Sequence, residues 1–442
     1  MLRNYLILAW KVLSRKRFFT FISLFGISFT LMILVALTAY FDSELGAHAP
    51  VTQKDRIGFL TRLEMHLIEP DSVPTIDSSR VNGMMAYDTT WQVGEQTTNT
   101  TMSSFSYTML DRNLRDLPFV QAATFYSNRS SFDLFFNGKK VVFNAIHADA
   151  SYWQVFDFTF IEGRPFSASA VTNRQPEAVI SREAARAYFG EEKGVLGKEI
   201  QLNEQRYMVV GLVADVSESK DYAHASVYLP LTFIRPGELQ SKEFWGGFHA
   251  AFLTGSQQDL EKLKEEMDRR AEVIPLPDPE NYNTLILDLQ TLEEGFANQL
   301  FNNDDNSLWL LYTIFGGLMA LFVFLPTLNL INLNITRILE RSSEIGVRKA
   351  FGARTRDLLL QFVFENVLLT LLGGILGFGM AIWLIGTLNE TKFLGEITLS
   401  FSPAVYLYGL GITLFFGILS GLLPAWRMSR LHVIQALKQN PS

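Results

Sequence analysis

At 442 residues the chain is too long for one small domain, and its 48% hydrophobic content is unevenly spread, with the apolar residues concentrated at the two ends. A formal net charge of −7 hides a second asymmetry: residues 42–306 hold 39 acidic against 23 basic side chains, so nucleic acid is excluded as a natural partner of the middle region. The lack of cysteine excludes disulfides, thiolate metal sites and cysteine nucleophiles, yet leaves the compartment open, because a domain of this size can form a core without disulfides.

Residues 1–17 carry Arg3, Lys11, Arg15, Lys16 and Arg17 with no acidic residue, while Leu2, Leu6, Ala9 and Leu13 recur at three- or four-residue steps. This pattern predicts an amphipathic helix on the cytoplasmic membrane surface, with Trp10 near the interface. Residues 18–40 then run without a charge, and about 23 residues at 1.5 Å rise give roughly 34 Å, enough to span the hydrocarbon. The first transmembrane helix is therefore placed at 18–41. A cleaved signal peptide ending at Ala47-His48-Ala49 is the rival, but the apolar run exceeds a usual signal core and Pro50 would follow the cut.

Residues 42–306 read as a soluble insertion large enough for one or two domains. Helical spacing is predicted over 109–117 and a strand over 119–126, followed by strands at 140–146 and 178–180. Ser181 is the N-cap of a helix through Tyr188 that turns at Gly190. Two apolar runs, 200–202 and 207–213, flank Asn203-Glu204 and predict a hairpin. A strand at 248–253 precedes a charged helix at 257–270 with Leu260, Leu263 and Met267 along its buried stripe. Residues 284–306 lead back toward the membrane with Leu285, Leu289, Leu292 and Phe296 at helical spacing, interrupted by Gly295, and read as a plain juxtamembrane linker. The alternation defines a mixed α+β domain.

The second span is placed at 307–336. It contains Gly316, Gly317 and Pro326, which is expected to bend the helix, and Asn329, Asn332 and Asn334 are assigned to packing and interface solvation. Residues 337–365 form a loop with six Lys or Arg between Arg337 and Arg356, which assigns it to the cytoplasm. Within it Ile345, Val347, Ala350 and Phe351 recur at roughly helical spacing, with Glu344, Arg348 and Lys349 on other faces, ending at Gly352. Spacing leaves open whether this short helix anchors the loop to lipid or docks on a protein. A further helix starts near Thr355. The third span covers 366–388, with Gly373 and Gly377 four residues apart, and Glu365 at its entrance reads as a hydrated or capping carboxylate. A periplasmic loop at 389–402 has only Lys392 as a base. The fourth span, 403–426, repeats the small-residue spacing with Gly417 and Gly421. A basic tail, 427–442, returns to the cytoplasm. The fold class is thus an α-helical membrane protein with four transmembrane helices and a large extracytoplasmic α+β domain between helices 1 and 2.

No GxxxxGK[ST] phosphate loop, HExxH or GxSxG occurs, and the six histidines form no metal-ligand spacing. The chain is therefore not expected to be an enzyme.

The stretch ERSSEIGVRKAFGARTRDLLLQFVFENVLLTLLGGILG resembles the signature of the FtsX/MacB-type ABC transporter permeases, the macrolide-exporter superfamily. YWQVFDFTFIEGRPF, EAVISREAARAYFG, YMVVGLVAD and SVYLPL resemble that family's periplasmic core, and LLPAWRMSRLHVIQALK its C-terminal ending. The resemblance implies a porter-like unit with an inserted strand-rich subdomain near 151–235. It also implies that Arg341, Ser342, Glu344, Ile345, Gly346, Val347, Arg348, Lys349, Ala350, Phe351, Gly352 and Ala353 couple to a separate ABC ATPase.

By the same resemblance two ATPase copies carry the ATP and Mg, and this chain binds no cofactor of its own. A second permease copy or a paralogue pairs with it in the lipid bilayer of a bacterial inner membrane, both termini cytoplasmic and the large domain periplasmic. A periplasmic adaptor and outer-membrane channel can complete the assembly. The implied function is mechanotransmission for export of a drug, peptide, lipid or lipoprotein. The alternative is a transmembrane regulator that activates a cell-wall hydrolase or signalling partner.

Overall fold

The computed structural model describes residues 17–81, 84–136, 139–301, 306–340, 347, 351, 355–391, 393–394 and 397–429. The chain divides into two compact units, Met1–Gly46 with Asp304–Ser442, and Ala47–Asn303. The expected amphipathic helix at 1–17 lies almost wholly outside the described residues, whose first element is α1 (Arg17–Leu45).

The middle unit begins with β1 (Ile57–Leu60), β2 (Leu63–Val81) and β3 (Met84–Phe105). Helix α2 (Tyr107–Leu114) follows, started by Ser106, whose hydroxyl accepts from the Met109 N–H at 3.1 Å. Next come β4 (Val120–Ser127), β5 (Ser130–Phe136), β6 (Lys139–Ala148), β7 (Phe160–Gly163) and β8 (Glu177–Ser181). Ser181 caps α3 (Arg182–Phe189) through the Ala184 N–H, and Gly190 ends that helix at φ 74°, a left-handed conformation that favours glycine. The hairpin of β9 (Glu199–Leu202) and β10 (Gln205–Val213) turns at Asn203, φ 52°. After β11 (Val227–Pro230) and β12 (Trp245–Gly246) come β13 (Phe248–Thr254), α4 (Gln257–Val273), β14 (Thr284–Ile286) and α5 (Leu292–Leu300).

The strands join in the order β14-β2-β3-β13-β4-β6-β11-β8-β10-β7. One core gathers α2 and α4 against β1, β4 and β13 through Leu60, Met109, Leu110, Phe125, Phe252, Leu260, Leu263 and Met267. A second core, from Phe143 to Leu229, packs α3 between β8, β9 and β10 and contains two parallel pairings, β10 with β8 and β11 with β6. The subdomain expected near 151–235 overlaps this second core. Between the two cores lies an aromatic group in which Phe59 meets Tyr222 at 4.7 Å between ring centroids, Phe156 stacks on Tyr222 at 5.7 Å, and Tyr126 meets Tyr152 edge-on at 5.5 Å.

Two expectations change here. Residues 284–306 are not one helix: Thr284–Ile286 pairs with β2, and helix begins only at Leu292. Thr291 starts it in a capping box with Glu294, and the three-residue strand before the cap left too short a run for its period to be read. The second change is β2 and β3 themselves, which no pattern in the sequence marked.

Among the described residues the first unit has three further helices, α6 (Ser307–Glu340), α7 (Thr355–Thr391) and α8 (Pro403–Ser429). Among the described residues three helices are long and apolar enough to cross a membrane, Thr20–Leu45, Ser307–Leu325 and Val363–Thr391, and α8 contributes the shorter apolar stretch Pro403–Phe415. Helix α6 runs unbroken through Pro326. Helices α1, α7 and α8 share a core of Met32, Val35, Ala39, Ala381, Ile385 and Tyr406. The Asn389 side chain closes the 389–402 loop by bonding both the N–H and the carbonyl of Leu399 at 2.9 Å.

Candidate functional site

Helix α6 ends at Glu340 and α7 starts at Thr355, so the connecting segment is set at one end of the helical unit. Of the coupling residues expected from the sequence, Val347 and Phe351 are described. The Phe351 N–H donates to the Val347 carbonyl at 3.1 Å, which closes a single helical turn. Val347 is 46% exposed and Phe351 89% exposed. Arg341, Ser342, Glu344, Ile345, Gly346, Arg348, Lys349, Ala350, Gly352 and Ala353 lie outside the described residues.

The paired glycines of α7 lie against α1. A Cβ on Gly373 would come within 2.7 Å of Ile27 Cγ2, and one on Gly377 within 3.0 Å of the Ser28 carbonyl oxygen. Close approach lets the Ser28 hydroxyl donate to the Gly373 carbonyl at 2.9 Å. On the other side Gly374 meets Leu410, and the Tyr406 hydroxyl donates to the Gly374 carbonyl at 2.6 Å. Gly417 and Gly421 sit within α8, and their surroundings, with those of Asn329, Asn332 and Asn334, lie outside the described residues.

Glu365 departs from expectation. It is not a hydrated entrance carboxylate but is 4% exposed, on a seam of α7 that also buries Gln361, Asn366 and Thr370, with Ser23 and Ser28 buried on α1. Gln361 and Glu365, four residues apart, share one helix face, and that spacing is the signal that could have paired them.

In the middle unit, burial acts on three titratable groups flanking the aromatic junction. His147 on β6 is buried, and its imidazole is pushed down to about 4 because the charged form is denied water. His249 on β13, 5.8 Å from the Tyr126 ring, is likewise pushed down to about 4 by burial, against a smaller upward pull from the Thr61 backbone and Asp221. Burial raises the Asp149 carboxyl above the usual range. The Thr124 hydroxyl at 2.7 Å, the Phe125 N–H at 3.3 Å and the Arg115 guanidinium at 3.9 Å partly offset it. These groups are dispersed, and among the described residues no three His, Asp or Glu side chains form a metal-binding group.

Apolar helices with a large mixed domain inserted after the first, and a basic connecting segment between two long helices, describe a multi-span membrane protein with a large extramembrane domain. The MacB-like periplasmic core domain family matches residues 20–270, and the FtsX-like permease C-terminal family matches residues 316–433. The chain belongs to the FtsX/MacB-type ABC transporter permeases, membrane proteins with a periplasmic domain.

It is 28% identical over 300 residues to the macrolide export ATP-binding/permease protein MacB of Bdellovibrio bacteriovorus, a match covering 65% of this chain and 42% of that protein. It is 25% identical over 290 residues to the pyoverdine export ATP-binding/permease protein PvdT of Pseudomonas fluorescens, covering 65% and 42%. With the uncharacterized ABC transporter permease YvrN of Bacillus subtilis the identity is 27% over 307 residues, covering 66% and 68%. The chain thus spans less than half the length of the MacB and PvdT relatives.

Proposed function

We propose that the chain is the permease subunit of an export system in the bacterial inner membrane, with four transmembrane helices and both termini cytoplasmic. Two copies pair, and two copies of a separate ABC ATPase, holding ATP and Mg, dock on residues 341–353. The observation that carries this reading is Phe351, 89% exposed and one helical turn from the half-exposed Val347, at the end of two long apolar helices. An aromatic side chain held outward is a suitable anchor for a groove on a partner, and burying one contributes roughly 1.5 to 3 kcal/mol. Its charged neighbours in sequence, Glu344, Arg348 and Lys349, fix orientation more than affinity.

Transmission then runs through rigid parts. Helix α7 begins four residues after Phe351 and continues for 37 residues, roughly 55 Å at 1.5 Å rise. Its glycines hold it in contact with α1, which leads directly into the periplasmic unit at Ala47. The cargo class is a drug, peptide, lipid or lipoprotein, and an adaptor and outer-membrane channel complete the path.

The test combines Phe351→Ala with Ile345→Asp in the full chain. The double variant is expected to remain in the membrane in the correct orientation while the ATPase no longer co-purifies and coupled ATP turnover is lost. Lys392→Ala on the opposite side serves as control. Unchanged ATPase binding and turnover in the double variant would rule out the coupling role. Reduced membrane stability with the ATPase unaffected would mark the loop as a lipid anchor.

A further inference from the structure

The middle unit holds two cores, and its sheet scarcely joins them. β4 meets β6 at one residue pair, Tyr126↔Ala148, whereas β13 runs beside β4 over seven. Asp149 strengthens that single point by accepting from the Thr124 hydroxyl at 2.7 Å and the Phe125 N–H at 3.3 Å. A second attachment lies just past β11, where Leu231 and Ile234 enter the first core. Two attachments leave one rotation free, about the line that joins them, and a third contact is needed to fix the second core at one angle.

That third contact falls on residues 50–59, the stretch by which the chain enters this unit after α1. The Pro50 carbonyl accepts from the Asp157 N–H at 2.8 Å, and the Thr52 hydroxyl donates to the Asp157 carboxylate at 3.1 Å. Phe59 on β1 meets the Tyr222 ring at 4.7 Å between centroids, and Tyr222 stacks on Phe156 at 5.7 Å. Phe59 is itself bonded both ways to Gln290: its N–H donates to the Gln290 carbonyl at 2.7 Å, and its carbonyl accepts from the Gln290 N–H at 2.9 Å. Gln290 stands two residues before α5, on the way back to α6. The incoming and outgoing segments therefore meet at the residue that touches Tyr222.

Tyr222 is held firmly from behind. It sits in the loop 214–226 between β10 and β11, two strands of the second core. The Tyr152 hydroxyl donates to the Tyr222 carbonyl at 3.1 Å, and the Tyr228 hydroxyl donates to the Ala223 carbonyl at 2.6 Å. Both tyrosines are fully buried, where an unbonded hydroxyl would be costly. The Ala223 and His224 N–H groups both donate to the Lys220 carbonyl, at 2.9 and 2.8 Å. With two successive carbonyls fixed in this way, a shift of the Tyr222 ring passes to β11 rather than being absorbed by the loop.

We propose that Tyr222 is a positioning residue, through which the paired Phe59 and Gln290 set the angle of the second core against the first. Coupling over a distance travels through packed side chains and hydrogen bonds, and this path is contiguous from Gln290 to β11. Loosening it frees the rotation while each core stays intact.

The chain has no cysteine of its own, so spin labels on Asp268→Cys of α4 and Glu204→Cys of the β9 to β10 turn, both exposed, report the distance between the cores. The measurement is pulsed electron resonance on the full chain in lipid nanodiscs, diluted with unlabelled chain so that only distances within one copy are read. The otherwise unaltered chain should give one narrow distribution. Tyr222→Ala and Phe59→Ala are each expected to widen it at least twofold, the double variant no further than either alone, and Tyr222→Phe should keep it narrow. Gln290→Pro, which removes the N–H given to the Phe59 carbonyl, should widen it as well.

Control pairs inside each core, Arg112→Cys with Asp268→Cys and Glu183→Cys with Glu204→Cys, should keep their widths throughout. Equal widening in the controls would make Tyr222 ordinary core packing and overturn the proposal. An unchanged distance between the cores in Tyr222→Ala, or widening as large in Tyr222→Phe, would overturn it too. Widening by Tyr222→Ala but not by Gln290→Pro would overturn the path from the incoming and outgoing segments. Neither an ATPase nor a second copy enters the measurement, so its failure leaves the proposed function standing.

Discussion

The two buried histidines make the periplasmic unit acid-sensitive in a calculable window. With imidazoles held at about 4 in the fold against about 6.5 in the open chain, the unfolded state binds more protons between those values, so stability rises with pH there and falls as pH drops from 6.5 toward 4. At pH 5 the linkage comes to about 2 kcal/mol for His147 and less for His249, whose ring is more exposed. Asp149 acts with the opposite sign, because burial raises its carboxyl and so favours the fold as it protonates. For a unit of this size 2 to 4 kcal/mol corresponds to a fall in Tm of roughly 5 to 15 °C, read by differential scanning calorimetry. His147→Asn with His249→Asn should unfold at a lower temperature at pH 7.5 but lose most of the pH dependence. A wild-type Tm flat from 7.5 to 5, or a double variant with the wild-type slope, would refute the argument.

The remaining predictions are independent of it. Single cysteines at Ser14, Ser342 and Ser429 should be shielded from an impermeant thiol reagent in intact cells while one at exposed Ser219 reacts; labelling of Ser342 from outside would end the four-helix topology. Residues 47–300 expressed alone should be soluble with mixed α/β circular dichroism, since this unit carries its own two cores; an unfolded product would contradict that. Gly377→Leu should separate α1 from α7, because a Cβ at this position would meet the Ser28 carbonyl oxygen at 3.0 Å, and cost stability in detergent of about 1 to 3 kcal/mol; a melting point equal to wild type would show that the helices do not touch there.

Much of the middle unit was legible because its local signals agree with its tertiary packing. Ser181 caps the helix that Gly190 ends, Asn203 turns the hairpin, and Leu260, Leu263 and Met267 form the buried stripe of α4, as their spacing implied. The region 284–306 misled because Leu285, Leu289 and Leu292 match a helical period by coincidence. Leu285 is buried from a strand, and only Leu292 onward is helix. The long ladder of β2 with β3 was invisible for a different reason. Pro70, Pro74 and Gly94 interrupt any propensity reading, and polar residues occupy most positions, so nothing in the pattern distinguishes 69–96 from a loop until Asp77 is seen opposite Asp88.

The membrane unit shows where charge patterning stops being informative. Basic flanks orient the helices, because a loop with six cations is costly to translocate, but they carry no information about which helix faces which. Gly373 and Gly377 supply part of that information through spacing, and the structure sets them on Ile27 and Ser28 of α1. Glu365 reveals the limit. As a lone carboxylate at the edge of an apolar run it reads as hydrated, whereas it is enclosed with Asn366 on α7. A buried carboxylate has to be compensated by polar neighbours. Gln361, one turn earlier on the same face, is buried with it, Asn366 and Thr370 are buried elsewhere on α7, and Ser23 and Ser28 are buried on α1. Replacing Glu365 by Gln keeps its shape and hydrogen-bonding capacity at this buried position, while replacing it by Ala removes both. The Ala variant should therefore lower detergent stability well beyond the Gln variant, and equal losses in the two would mean that the charge, not the seam, is what the fold retains at this position.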